Sequence, residues 1–319
     1  MDIESKKITD RSRESGVPMR DIKFSINTPA DLPRDKERGL SLVELRDPEW
    51  SINDLVLASD ARELLGRVVE ENRRSQLIRS YGLRPIRKVL FWGPPGCGKT
   101  IAAEAIAKEL YLPLAVVRFD AVISSYLGET SANLRKVFDF ARQRAMVVLF
   151  DEFDAIGKMR EDRDEHGELK RVVNAFLQMM DGFRADGVMV AATNHERLLD
   201  GALWRRFDEV VQFARPDKRQ IEELLTRNLR QMHVAPNVVM KSAVIPMSGM
   251  AHADIERIVI NAIKTTIIKG EEKISSDTLQ REIAKQKDRD LAAMGPEMRK
   301  RASKKNKLSH QRNASSSKR

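Results

Sequence analysis

Apolar residues in the middle of the chain come in short runs separated by amphipathic stretches. Five runs are bounded by turns or charge in the manner of buried strands: Val89–Trp92, Leu114–Phe119, Val147–Phe150, Val188–Ala192 and Val210–Phe213. Between them the spacing becomes helical. Leu134, Val137, Phe138 and Ala141 fall at i, i+3, i+4 and i+7, and Val172, Val173, Phe176, Leu177 and Met180 repeat the stripe. Continuous apolar strands alternating with helices predict an α/β fold: a five-stranded parallel sheet covered by helices.

After Pro216 the strand pattern stops. Ile221, Leu224, Leu225, Leu229 and Met232 form one helical stripe, and Ile255, Ile258, Val259, Ala262 and Ile263 form another. Asp254 is placed to cap the start of the second helix and Gly270 to end it. The expected organisation is a polar arm or linker over 1–47, an α/β domain over 48–215, a small all-helical domain over 216–290, and a basic disordered tail over 291–319.

Composition narrows the class. The chain is 41% hydrophobic and 33% charged, enough for a sizeable core. No apolar run approaches the roughly 18 residues of a membrane helix, and the first residues lack the layout of a signal peptide. One cysteine excludes a disulfide framework. A cytoplasmic protein without membrane insertion is expected. The net charge of +10 suggests nucleic acid at first sight. However, nine lysines and arginines against one glutamate lie between Pro296 and Arg319, so most of the excess sits in the tail. With no interleaved aromatic residues, nucleic acid is expected to meet only that tail, weakly and salt-dependently.

The chemistry concentrates at strand ends. Gly93-Pro94-Pro95-Gly96-Cys97-Gly98-Lys99-Thr100 matches G-x-x-x-x-G-K-[ST]. Its glycines let backbone N–H groups turn around phosphate oxygens, Lys99 supplies charge, and the Thr100 hydroxyl can hold Mg²⁺. A helix follows, beginning with Thr100 and Ile101, and its dipole also favours an anion. Val147–Phe150 delivers Asp151 and Glu152 to the sheet edge where ligands of open α/β sheets bind. One acid can share the metal and the other can polarise a water. Asn194 ends another apolar strand, where it could align that water or simply form a turn. Arg205 and Arg206 read either as arginine fingers or as a solvated basic pair. Tyr126, in "SSYLGE", reads either as a gripping aromatic or as a side chain folded onto the core.

The order and spacing of these motifs resemble the AAA family of AAA+ ATPases, from about Pro48 to Lys287. Gly93–Thr100 is similar to its Walker A motif and "DEFDAIGKMR" to its extended Walker B segment, which includes Asp154 and Arg160. Asn194 then falls at sensor 1 and Arg205 and Arg206 at the arginine fingers. "SSYLGETSANLRKVF" resembles pore loop 1, with Tyr126 and Leu127 facing substrate and 163–170 as a second pore loop. The adjacent arginines in "ALWRRFD" are most similar to the meiotic clade of katanin and spastin, and "SGMAHADIERI" lacks a sensor-2 arginine, as in protein-remodelling members. By position, Met250 and Ala253 would lie near the base.

The resemblance implies ATP and Mg²⁺ as cofactors, a homo-oligomer, most simply a hexamer, and a protein substrate drawn through a central pore. A regulatory switch acting on one separately encoded partner, such as a protease or effector, is the alternative. A nucleic-acid-associated ATPase ranks third. The lone cysteine, Cys97, reads either as a tolerated variable position of the loop or, at a helix N-terminus that can favour a thiolate, as a reactive thiol; on the second reading alkylation is expected to abolish activity and bound ATP to protect.

Overall fold

The computed structural model describes residues 32–123, 127–154, 168–195, 201–229 and 243–293. Its strands are β1 (Val43–Arg46), β2 (Lys88–Trp92), β3 (Leu114–Val117), β4 (Val147–Phe150), β5 (Val188–Thr193) and β6 (Glu209–Gln212). The longer helices are α1 (Ser59–Arg73), α2 (Lys99–Leu110), α3 (Leu127–Gln143), α4 (Glu168–Asp181), α5 (Lys218–Leu229), α6 (His252–Ile268) and α7 (Ser276–Ala293). Short helices occupy Ser75–Ser80, Phe119–Val122 and Gly201–Trp204.

The sheet runs β1-β3-β4-β5-β2-β6. Strands β2 to β6 are parallel and coincide with the five expected runs, except that β3 ends at Val117 and Phe119 opens a short helix. The sixth strand corrects the expectation of five. β1 pairs antiparallel with β3, from Val43 against Val117 to Arg46 against Leu114. Val43 is buried while Glu44 and Arg46 are exposed, an edge strand with one wet face. A four-residue alternation flanked by charge does not stand out from a polar arm. Residues 43–46 therefore belong to the sheet rather than to a linker. The segment before them is also tied down: Leu42 is fully buried, and the Asp35 carboxylate accepts from the Arg38 N–H at 2.9 Å and from Asn133 Nδ2 on α3 at 3.4 Å.

Both sheet faces are covered. On one, α3 and α4 pack through an aromatic cluster in which Phe176 lies 5.5 Å from Phe138, 5.4 Å from Phe150 and 5.2 Å from Phe153. Such tilted and edge-on rings add to their burial energy. On the other face α1 and α2 bury Leu65, Val68, Ala103 and Ile106. A separate helical core joins α5, α6 and α7 through Ile221, Leu225, Ile255, Val259, Leu279 and Ile283.

The start of α6 departs from the expected cap. Ala251 occupies the N-cap, and Asp254, three residues in, instead accepts from Gln286 Nε2 of α7 at 2.9 Å. At the other end Gly270 takes φ +68° and donates its N–H to Ile267 O at 3.0 Å, as a terminating glycine does. Among the described residues no helix is long and apolar enough to cross a membrane.

Candidate nucleotide-binding site

The loop after β2 is flanked in the sheet by β5 and, one strand further, β4. The C-terminal ends of these strands bring Lys99, Asp151, Glu152 and Asn194 to one cavity of ≈ 320 Å³. The loop can be built only with glycine at its entrance. Gly93 has φ +143°, and a Cβ there would lie 2.1 Å from the Phe213 carbonyl oxygen. Gly96 and Gly98 also take positive φ, at +71° and +92°.

Lys99 is only 7% exposed. Its Nζ donates to Gly93 O at 2.8 Å, Pro94 O at 2.9 Å and Asn194 Oδ1 at 2.7 Å. Burial pushes its pKa below the usual lysine value. The ammonium is thus held by three neutral oxygens, a set that an anionic phosphate can replace with advantage. Thr100 Oγ1 donates to Asp151 Oδ2 at 2.6 Å. These adjacent hard oxygens suit Mg²⁺, which usually takes one or two protein oxygens and completes its shell with phosphates and water.

Glu152 has φ +52° and an exposed side chain on the cavity, and its N–H donates to Asp151 Oδ1 at 2.9 Å. A left-handed non-glycine residue at a strand end is a strained position of the kind found at active sites. Next to it, Phe153 is fully buried and donates its N–H to Ala192 O at 2.8 Å, which fixes the turn. Beside the cavity lies a wider cleft of ≈ 660 Å³, bordered by Trp50, Val56, Cys97, Ile101 and Leu224. The two spaces share Gly98, Ile101, His252 and Glu256. A phosphate cavity that shares its border with a larger cleft has the form of a nucleotide site.

Residues 89–215 match the model of the ATPase family associated with various cellular activities (AAA). An "Uncharacterized AAA family ATPase y4kL" of Sinorhizobium fredii (strain NBRC 101917 / NGR234) is 46% identical over 246 residues, 77% of this chain and 74% of that protein. The chain belongs to the AAA family of ATPases. A second relative of this AAA ATPase, "ATP-dependent zinc metalloprotease FtsH 3" of Sphaerobacter thermophilus (strain ATCC 49802 / DSM 20745 / KCCM 41009 / NCIMB 13125 / S 6022), is 32% identical over 270 residues. That match covers 83% of this chain but 54% of the relative. Membership makes the protein an ATP-hydrolysing enzyme.

The AAA ATPase's two arginines stand apart from that cavity. Arg205 is exposed, while Arg206 Nε pairs with Asp181 Oδ2 at 3.2 Å, and neither lines the cavity of its own chain. The turn that carries them is braced by Trp204, edge-on to Trp92 at 6.1 Å. Tyr126, Arg160 and residues 163–167 lie outside the described residues, and Leu127 is described only as the first residue of α3.

Two expectations need correction. Met250 does not reach the cleft; it is buried in the core of the helical domain, because the turn before α6 faces Met247 and its neighbours. Ala253 does meet the loop, donating its N–H to Gly96 O at 3.0 Å. The residue between Ala251 and Ala253, His252, borders both spaces and was not singled out by sequence. Its only signal was adjacency to Ala253, since a lone histidine carries no pattern.

The second correction is Cys97. The residue is 1% exposed, and burial pushes its thiol pKa up despite the nearby Lys99 charge. The helix start does not make an accessible thiolate. The folded protein is expected to react with iodoacetamide at least about ten-fold more slowly than the unfolded chain, with or without ATP, as read by mass spectrometry. Rapid modification of the native protein would restore the reactive-thiol reading.

Proposed function

We propose that this AAA ATPase works as a ring that remodels a protein substrate. The observation carrying this reading is the separation of Arg205 from its own cavity: the groups suited to phosphate, metal and water are gathered there, and the exposed arginine is elsewhere. A head-to-tail ring would bring one subunit's arginine to the next subunit's phosphates. Lys99 then neutralises phosphate charge. Thr100 and Asp151 would hold Mg²⁺, whose contribution when bound is to screen the phosphate oxygens and fix their orientation. Glu152 accepts a proton from the attacking water, and Asn194 exchanges its bond with Lys99 for one that aligns that water. The helical domain contacts the loop through Ala253, which provides a path from nucleotide occupancy to its position.

Protein as the substrate class is supported by the printed name of the second relative, a metalloprotease. The present 319 residues contain no H-E-x-x-H run, so peptide cleavage is not assigned to them. Tyr126→Ala is expected to reduce threading of a tagged, unstructured substrate at least about ten-fold while ATP binding persists, measured by substrate unfolding alongside nucleotide titration. Undiminished threading would return Tyr126 to a packing role. Binding of a tagged partner without translocation would instead favour the switch.

A further inference from the structure

The arm that precedes β1 folds back on itself before it enters the sheet. Leu42 N–H donates to Pro33 O at 2.8 Å and Asp35 N–H to Leu40 O at 2.9 Å, and Arg34 and Ser41 form an antiparallel bridge. This small hairpin reaches two other elements. Arg118 N–H, just past β3, donates to Leu42 O at 2.9 Å. On α3, Asn133 Nδ2 donates to Asp35 Oδ1 at 3.4 Å, and Lys136 Nζ donates to Arg34 O at 2.9 Å. The hydrolytic scheme gives these contacts no task.

Asn133 is where they meet. It is 2% exposed, and its Nδ2 also donates to Val122 O, at 3.4 Å, at the end of the short helix after β3. Asp35 is buried too. Both hydrogens of one buried amide thus tie the arm, the short helix and α3 together. The apolar packing of α3 does not supply that tie. Among the described residues its buried apolar stripe begins at Leu134 and continues through Val137, Phe138 and Ala141. The turns before Leu134 lack the stripe, and a helix end with few apolar contacts opens readily. In sequence, Tyr126 falls between Val122 and Leu127, the end of the short helix and the start of α3. A segment that pulls on a polypeptide loads both of its flanks, so those flanks must not separate.

We propose that residues 33–42 are a brace for substrate pulling: the arm fixes the end of the short helix against the first turns of α3, with Asp35 and Asn133 as positioning residues. The proposal rests on the threading reading above and adds a part that lies outside the ATPase motifs.

Three variants test it. Asn133→Asp sets a second carboxylate against that of Asp35 in a buried place. Adding Asp35→Asn restores a donor and an acceptor between the two positions. Lys136→Met removes the ammonium that bonds Arg34 O and Asn133 Oδ1, and serves if Asn133→Asp does not fold. Threading of a tagged, unstructured substrate is measured per ATP hydrolysed, beside hydrogen exchange of the short helix and the first turns of α3. Asn133→Asp is expected to thread at least about five-fold less per ATP and to exchange at least about five-fold faster there, with basal ATPase held within about two-fold. Lys136→Met is expected to move both readings the same way, by about two-fold. The double variant is expected to return both to within about two-fold of the wild type. Unchanged threading per ATP in Asn133→Asp, a double variant as impaired as the single, or ATPase falling in step with threading would each overturn the brace. A wild type that threads nothing defeats the threading reading instead. Exchange then decides the brace alone: acceleration reversed in the double variant supports it, and unchanged exchange overturns it.

Discussion

Glu152→Gln is expected to bind ATP as the wild type does and to turn it over at least about a hundred-fold more slowly. The substitution is nearly isosteric, and the surroundings of Glu152 explain why it should act on chemistry alone. The side chain is exposed on the cavity rather than packed, so no core contact is lost. The strained φ of +52° and the N–H bond to Asp151 belong to the backbone and survive the change. The groups suited to phosphate and Mg²⁺, namely Lys99, Thr100 and Asp151, are untouched, with the Thr100–Asp151 bond at 2.6 Å intact. What disappears is a carboxylate able to take a proton. Phosphate release in the steady state, set beside equilibrium ATP binding, separates the two effects. Turnover near that of the wild type would remove Glu152 as the base. Weakened binding with unchanged turnover of the bound fraction would move it to the metal shell. Lys99→Ala provides the contrast, since deleting the ammonium at 2.8 Å from Gly93 O and 2.7 Å from Asn194 is expected to cost binding itself.

The parts of this site that were legible in the sequence are those fixed by local rules. A glycine loop between an apolar strand and a helix must turn its N–H groups inward, and acids at the end of a buried strand must reach the sheet edge. Hence Lys99, Thr100, Asp151, Glu152 and Asn194 meet where expected. Four of the five parallel strands were legible because each is built on an apolar run of at least four residues, and β6 was legible from Val210, Val211 and Phe213 around Gln212. What escaped depends on distant partners. β1 is a strand because β3 offers an open edge, and its four residues carry too little pattern to show it. Met250 and His252 lie two positions apart, yet one enters the helical core and the other borders the nucleotide cleft. No spacing rule distinguishes them, because the turn preceding α6 decides. The thiol of Cys97 follows the same logic. Helix position argues for a thiolate, but desolvation by tertiary packing outweighs it.

Mixing Arg205→Ala subunits with Lys99→Ala subunits is expected to restore ATPase activity that neither variant has alone. Each variant is expected to lose at least about a hundred-fold in rate, in line with the 10³–10⁵ contributed by an arginine finger in GTPases. In a head-to-tail ring the damage is complementary. A Lys99→Ala subunit cannot bind nucleotide productively, but its exposed Arg205 remains available to the neighbour. An Arg205→Ala subunit keeps a complete cavity, since that arginine does not line it. At equal input, random assembly makes roughly a quarter of the interfaces competent, so a matching fraction of activity should return. Arg205 is the informative choice of the two. Arg206 is paired with Asp181 at the end of α4, so its removal would also loosen a contact within its own subunit. Recovery that rises and falls with mixing ratio would identify a site shared between subunits. Absence of recovery at every ratio would require Arg205 to act within its own chain, and because it stands outside that chain's cavity, the ring mechanism would then lose its main support.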